Sequence, residues 1–275
     1  MLLPSDFQFS QSCLQDYVDC PYRFLLRHLK KIAWPALEAE PVQENEQNMQ
    51  RGALFHSLVQ QHLLGIPVDS LTGLAQEEAM NRWWQAYLSS IPASLHGARY
   101  PELALSAPFE SHRLLAKYDL VLILPEGGAV IYDWKTNARK NRRQWLLARL
   151  QTRVYPFLLV QASAYLNDGQ PFRPDQIEMV YWFAEAPGEP ERIPYSVDQY
   201  RQDGQYLSNL ASEIASLTEE NFAVTPHEER CLFCTYRSLC ARGVTAGRLD
   251  GLQETEAATA NPEDFSFEQI AEIAF

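Results

Sequence analysis

Asp119, Asp133 and Lys135 are the residues in this 275-residue sequence whose types and spacing point most directly to chemistry. In the stretch AVIYDWKTN, Val130, Ile131 and Tyr132 are strand formers, and Asp133 and Lys135 follow two residues apart. With a side-chain period of 2, both point to one face of a strand. Asp119, in KYDLVLIL, stands at the head of the preceding strand-like run. Pro125-Glu126-Gly127-Gly128 reads as a hairpin turn between the two runs, which makes them antiparallel neighbours and lets the two acids meet. Two carboxylates drawn together out of water repel, unless a divalent cation sits between them. Hard oxygen ligands suit Mg²⁺ or Mn²⁺. A lysine two residues on can then hold or deprotonate a water, or stabilise charge building on a phosphate. Taken alone, Asp-x-Lys fits a solvated strand end better, because such tripeptides are common.

The elements that must position these residues follow from hydrophobic periodicity. SCLQDYVDCPYRFLLRHLKKIAW reads as helical, with Pro21 forcing a break or restart near Cys20. Residues 35–46 are rich in Pro and Glu and read as an exposed connection. NMQRGALFHSLVQQHLLG is a helix closed by Gly65 and Pro67, and LTGLAQEEAMNRWWQAYLSS is another, with Trp83, Trp84 and Tyr87 as core. Three strand-like runs come next: ELALSAPF, HRLLAKYDLVLIL and AVIYDWKT. From Arg142 to Leu166 the period is helical again, and a kink is expected at Pro156. IEMVYWFAE is a further strand, and Ser196 with Gln199 forms a capping box that opens a helix to about Leu217. This order predicts a mixed α/β fold with a small central sheet flanked by helices.

Net charge is −12, which by itself argues against a nucleic-acid partner. The distribution weakens that objection. Residues 249–275 hold seven acids and no Lys or Arg, so the rest of the chain carries only −5. Residues 135–153 hold seven Lys or Arg and no acid, and Arg23, Arg27, Lys30 and Lys31 form a second basic run. The expected organisation is one domain over residues 1–248, followed by an acidic tail over 249–275 that offers a surface to a protein partner. No stretch is long and apolar enough for a spanning helix, and the first residues lack the features of a secretory signal, so a cytoplasmic location is the expectation. The five cysteines are Cys13, Cys20, Cys231, Cys234 and Cys240. Their odd number and the spacing of the last three point to a metal or cluster site rather than disulfides.

Asp119 followed by Asp133-x-Lys135 within strands resembles the PD-(D/E)XK nuclease superfamily. More specifically it resembles the RecB-like branch, which includes the CRISPR spacer-acquisition nucleases and the AddB nuclease domain. That branch carries Gly-x-x-x-His on a helix before the strands, matched by Gly52 and His56. It carries Gln-x-x-x-Tyr on the helix after the lysine, matched by Gln151 and Tyr155, one helical turn apart on one face. Its cluster-bearing members have a Cys-Pro near the N-terminus, here Cys20-Pro21, and a C-terminal C-x2-C-x5-C, here Cys231, Cys234 and Cys240. The motifs run in order from residue 10 to 240. One departure is Ala116, where the family usually has a glycine before the first aspartate.

The resemblance implies that His56, Asp119 and Asp133 are metal ligands, helped by the Trp134 carbonyl. Lys135 would position water or stabilise the transition state, while Gln151 and Tyr155 would brace the lysine or contact the DNA backbone. It also implies a [4Fe-4S] cluster on Cys20, Cys231, Cys234 and Cys240, with zinc as the alternative. Periodicity alone does not choose between Cys13 and Cys20, which are seven apart. Pro21 favours Cys20 by giving its thiolate a helix end. The function implied is a metal-dependent DNA nuclease, acting as an exonuclease on ends or single strands in repair, recombination or defence. The alternatives are a catalytically inactive DNA-binding or scaffold protein of the same fold, and a zinc-stapled interaction protein.

Overall fold

The computed structural model describes residues 3–33, 42–136 and 143–243. The acidic tail and most of the basic stretch between Lys135 and Arg143 lie outside the described residues. Six strands form one mixed sheet: β1 (Gln8–Ser10), β2 (Ala98–Phe109), β3 (His112–Ile123), β4 (Ala129–Lys135), β5 (Ile177–Phe183) and β6 (Glu191–Pro194). β2 pairs antiparallel with β3 along its length, and β3, β4, β5 and β6 follow in order. The β3–β4 hairpin turns where the sequence predicts. At Gly128 φ is 102°, and a Cβ there would lie 2.7 Å from the Gln176 carbonyl, so only glycine fits. β4 and β5 run parallel and are buried on both faces, which explains their near-continuous apolar runs.

Helices cover both faces. One face carries α1 (Gln11–Asp19), the short α2 (Pro21–Phe24) that follows it, α7 (Leu150–Ala162) and α8 (Val197–Ser216) over Leu114, Val121, Ile131, Met179 and Phe183. The other carries α3 (Val42–Leu63) and α5 (Glu78–Ser90), whose Phe55, Trp84 and Tyr87 pack on Leu120, Trp134 and Trp182. Two apolar clusters on either side of one sheet make the mixed α/β architecture expected from the alternation of periods.

The differences from the sequence reading have identifiable physical causes. The helix from 48 starts at Val42, taking in residues read as a connection. Between Val68 and Ser90 there are two helices, α4 (Val68–Thr72) and α5, because Gly73 ends the first. The interruption after Arg142 falls at Arg149, between α6 (Arg143–Ala148) and α7, and Pro156 is carried inside α7. Arg149 is extended, and the first amide of α7 is capped by a side chain from α1: Leu150 N–H donates to Gln15 Oε1 at 3.2 Å. A cap supplied from 135 residues away leaves no local signal. Ser196 caps α8 as predicted, accepting from the Gln199 amide, while the Gln199 side chain donates down the helix to Asp203. β1 and β6, of three and four residues, are too short to show alternation.

Candidate active site

The β3–β4 register pairs Leu120 with Tyr132, so Asp119 and Asp133 stand opposite one another one step further out. Asp119 lies well inside β3 rather than at its head. One edge of β3 pairs with β1 at Arg113–Leu115 and with β4 from Leu120, and Asp119 faces the gap between those two partners. Trp134 N–H fills it, donating to Asp119 Oδ2 at 2.7 Å. On the opposite edge the ladder passes from Pro101↔Leu120 to Leu103↔Tyr118 and skips the Glu102–Asp119 step. Glu102 has φ of 53°, a left-handed backbone that costs a residue with a Cβ about 1–2 kcal/mol. Strand alternation breaks here too. Tyr118 and Val121 both enter the core under α7, although three steps along a regular strand reverse the face.

Asp133, Lys135 and Gln151 form a closed, buried set, with 4%, 9% and 5% of their surfaces exposed. Lys135 Nζ lies 2.9 Å from Asp133 Oδ2 and donates to Gln151 Oε1 at 3.0 Å. The Gln151 amide donates to Asp133 Oδ1. A buried ion pair is secure only when its remaining hydrogen-bonding capacity is also met, and Gln151 supplies a partner to each side. Tyr155, one turn on, is set differently: its ring lies 4.9 Å from Tyr118, whose hydroxyl donates to the Tyr155 carbonyl.

His56 reaches the same place from α3. Its neighbour Phe55 is fully buried and stacks on Trp182 at 5.9 Å, which fixes the helix on the sheet. One turn earlier, a Cβ on Gly52 would lie 3.0 Å from Thr136 Oγ1, so glycine permits the close approach of α3 to the end of β4. His56 Nδ1 is 3.2 Å from Asp119 Oδ1, and Nε2 is 3.0 Å from the Trp134 carbonyl. Both nitrogens thus face acceptors. Burial opposes the imidazolium, but Asp119 outweighs it with help from Asp133 and Glu102, raising the His56 pKa to about 9. Asp119 is correspondingly held below the ordinary carboxylate range: burial opposes this, and His56, Trp134 N–H and Lys135 overcome it.

One residue at this site was not found by sequence reasoning. Glu102, His56 and Asp119 each offer a ligand atom, and these atoms lie within 4.8 Å of one another. Burial and the Asp119 charge push the Glu102 carboxyl up, while Lys117 and His56 pull the other way. The signal was PFESHR: the two-residue turn at Glu110-Ser111 sets the β2–β3 register that brings Glu102 opposite Asp119.

The sheet, its helices and the acids across β3 and β4 agree with one comparison. The model of the PD-(D/E)XK nuclease superfamily matches residues 8–241. The chain belongs to this superfamily. Among solved structures, this PD-(D/E)XK protein is similar to a candidate exonuclease from Eubacterium rectale, with 8% identity, 75% of this chain and 79% of that one covered, and a TM-score of 0.48. It is also similar to SSO0001, with 12% identity, 85% of each chain covered and a TM-score of 0.39. No curated protein matches it.

Away from the acids, this PD-(D/E)XK chain brings the residues after α1 against the segment from Val224 to Cys240. Cys20, Cys231, Cys234 and Cys240 line one pocket, with Arg23 and Arg237 among its walls. Burial, followed by the neighbouring sulfurs, raises the Cys240 thiol to about 11, and burial also raises Cys231 and Cys234, where Arg23 opposes it. Cys13 stands elsewhere. It closes a capping box with Ser10 at the start of α1, and burial lifts its thiol to about 12. Among the described residues of the basic runs, Arg23 and Arg27 pair with Asp16, Lys30 with Glu219, Arg143 with Glu191 and Arg153 with Asp203. Arg149 lies over the Trp145 ring at 5.0 Å. Arg139, Lys140 and Arg142 lie outside the described residues. No helix among the described residues is long and apolar enough to cross a membrane.

Proposed function

We propose that this PD-(D/E)XK protein is a divalent-metal-dependent DNA nuclease of the RecB-like branch, working as an exonuclease on ends or single strands in repair, recombination or defence. The observation that carries the reading is the register of Asp119 against Asp133, with His56 beside the first acid and Lys135–Gln151 closed on the second. The donors suit a hard cation: an imidazole, two carboxylates and the Trp134 carbonyl, all at one end of the β3–β4 pair. Mg²⁺ or Mn²⁺, when bound, supplies the positive field that acidifies water and offsets charge on the scissile phosphate. His56, Asp119, Asp133 and the Trp134 carbonyl would hold it. Lys135, paired with Asp133 and aimed by Gln151, would orient a water or neutralise phosphate charge in the transition state. Tyr155 would contact the DNA backbone.

The four-cysteine pocket fits a [4Fe-4S] cluster, or zinc in its place, held by Cys20, Cys231, Cys234 and Cys240 and tying the ends of one domain over residues 1–248. The acidic residues 249–275 would form a separable tail available to a protein partner. The experiment is degradation of end-labelled single-stranded and duplex DNA with Mn²⁺ or with excess chelator. Loss of label from ends, with Mn²⁺ alone, is the expected result. Cleavage undiminished by chelator contradicts the metal dependence, and no cleavage of any substrate favours a scaffold.

A further inference from the structure

Glu102 has no place in the motifs above, yet the fold bends to present it. The β2–β3 ladder is open at Glu102 and closed on both sides of it, and the residue keeps a left-handed backbone with φ of 53°. Its carboxylate is turned toward His56 and Asp119, the three ligand atoms lying within 4.8 Å of one another. An imidazole with two carboxylates at that separation is a mixed nitrogen and oxygen donor set of the kind divalent ions take. Asp133 is differently engaged, since Lys135 and Gln151 hold its two oxygens. Among the described residues, the cation paired with Glu102 by a salt bridge is Lys117, at 2.5 Å, and its side chain is 41% exposed. An exposed ammonium on a flexible stem is a weak and easily released partner.

Resting on the metal-dependent reading above, we propose that Glu102 is a further ligand for the divalent cation, completing a donor set with His56 and Asp119 on the β2 side of the site, and that Lys117 is the counter-charge it exchanges for the ion. The cation would therefore be anchored by β2 and α3 as well as by the β3–β4 pair.

The test is Mn²⁺ binding by the full-length protein without DNA, read from the loss of the free-ion electron paramagnetic resonance signal. Glu102→Gln should weaken binding about tenfold or more, the range seen when groups supporting a metal site are removed. Lys117→Met should bind as tightly as wild type or more tightly. If Glu102 serves only to pair Lys117, the two variants should behave alike, and that result overturns the proposal. Wild-type affinity in Glu102→Gln overturns it as well. If Glu102→Gln fails to fold, Glu102→Asp keeps the charge and withdraws it by one methylene; weaker binding supports the proposal and unchanged binding contradicts it. Wild-type protein that binds no Mn²⁺ removes the metal-dependent reading itself. Wild-type binding with an unaffected Glu102→Gln removes only this inference.

Discussion

Gln151 carries more of the site than its neutral side chain suggests. It accepts from Lys135 and donates to Asp133, so the ion pair is held at both ends by one amide. Gln151→Leu is close in size but removes both contacts, leaving a buried ammonium and a buried carboxylate each short of a partner. Losing such hydrogen bonds to charged groups costs about 1–3 kcal/mol each. Lys135 would then sample positions away from its water or phosphate. Single-turnover cleavage should fall about 10²-fold, on the scale of other misaligned transition-state donors, while Mn²⁺ affinity stays close to wild type. A parallel fall in Mn²⁺ affinity would mean that Gln151 acts through the metal instead. The motif pairing Gln151 with Lys135 was legible in the sequence. Glu102 was not, because its place depends on the register set by the Glu110-Ser111 turn, which begins eight residues further along the chain.

At the scale of elements, α3 is the piece that brings the histidine to the acids, and Gly52 sets how closely it can approach. Gly52→Ala gains helix propensity of about 1 kcal/mol, set against a 3.0 Å approach to the rotatable Thr136 hydroxyl. The expected outcome is a melting temperature equal to or above wild type together with weaker Mn²⁺ binding, because His56 sits one turn beyond the displaced contact. A destabilised protein with unaltered Mn²⁺ binding would show that Gly52 serves packing alone. Elements with long periodic runs, such as β3, β4, β5 and α8, could be read from the chain directly. The break at Arg149 could not, since its cap is the Gln15 side chain on α1. Nor could β1, whose three residues join the sheet by pairing with β3 rather than by any pattern of their own.

Over the whole molecule, the N-terminal helices and the cysteine-bearing segment hold each other. Tyr236 donates to the Ile32 carbonyl, Arg230 to the carbonyls of Val18 and Asp19, and Tyr22 N–H to that of Ala223. Asp16 anchors the N-terminal side, with Arg23 at 2.8 Å, Arg27 at 3.0 Å and His28 at 2.8 Å. Burial would raise the Asp16 carboxyl, but the His28 hydrogen bond and the Arg23 and Arg27 charges hold it well below the usual range. A depressed folded value means that this stabilisation is complete above the unfolded value of about 4, and is lost as pH falls from there toward the folded value. Urea midpoints should therefore drop below about pH 4 in wild type, and Asp16→Asn should be less stable at pH 7 with a flatter acid limb. An Asp16→Asn acid limb as steep as wild type would assign the loss to other carboxylates. The cysteines make a matching prediction. Cys20→Ser should be colourless and protease-sensitive, whereas Cys13→Ser, which keeps a capping side chain next to Ser10, should retain its iron. The reverse pattern would exclude Cys20 as the fourth ligand.

The proposed chemistry gives the buried Lys135 the task of orienting water or neutralising phosphate charge beside the acids of β3 and β4. Lys135→Ala tests it most directly, with Mn²⁺ binding and single-turnover degradation of end-labelled single-stranded DNA measured on the same preparation. The ion should still bind while cleavage falls by about 10²- to 10³-fold, the loss expected on removing one transition-state donor. Cleavage at the wild-type rate in the folded, Mn²⁺-loaded variant would contradict it.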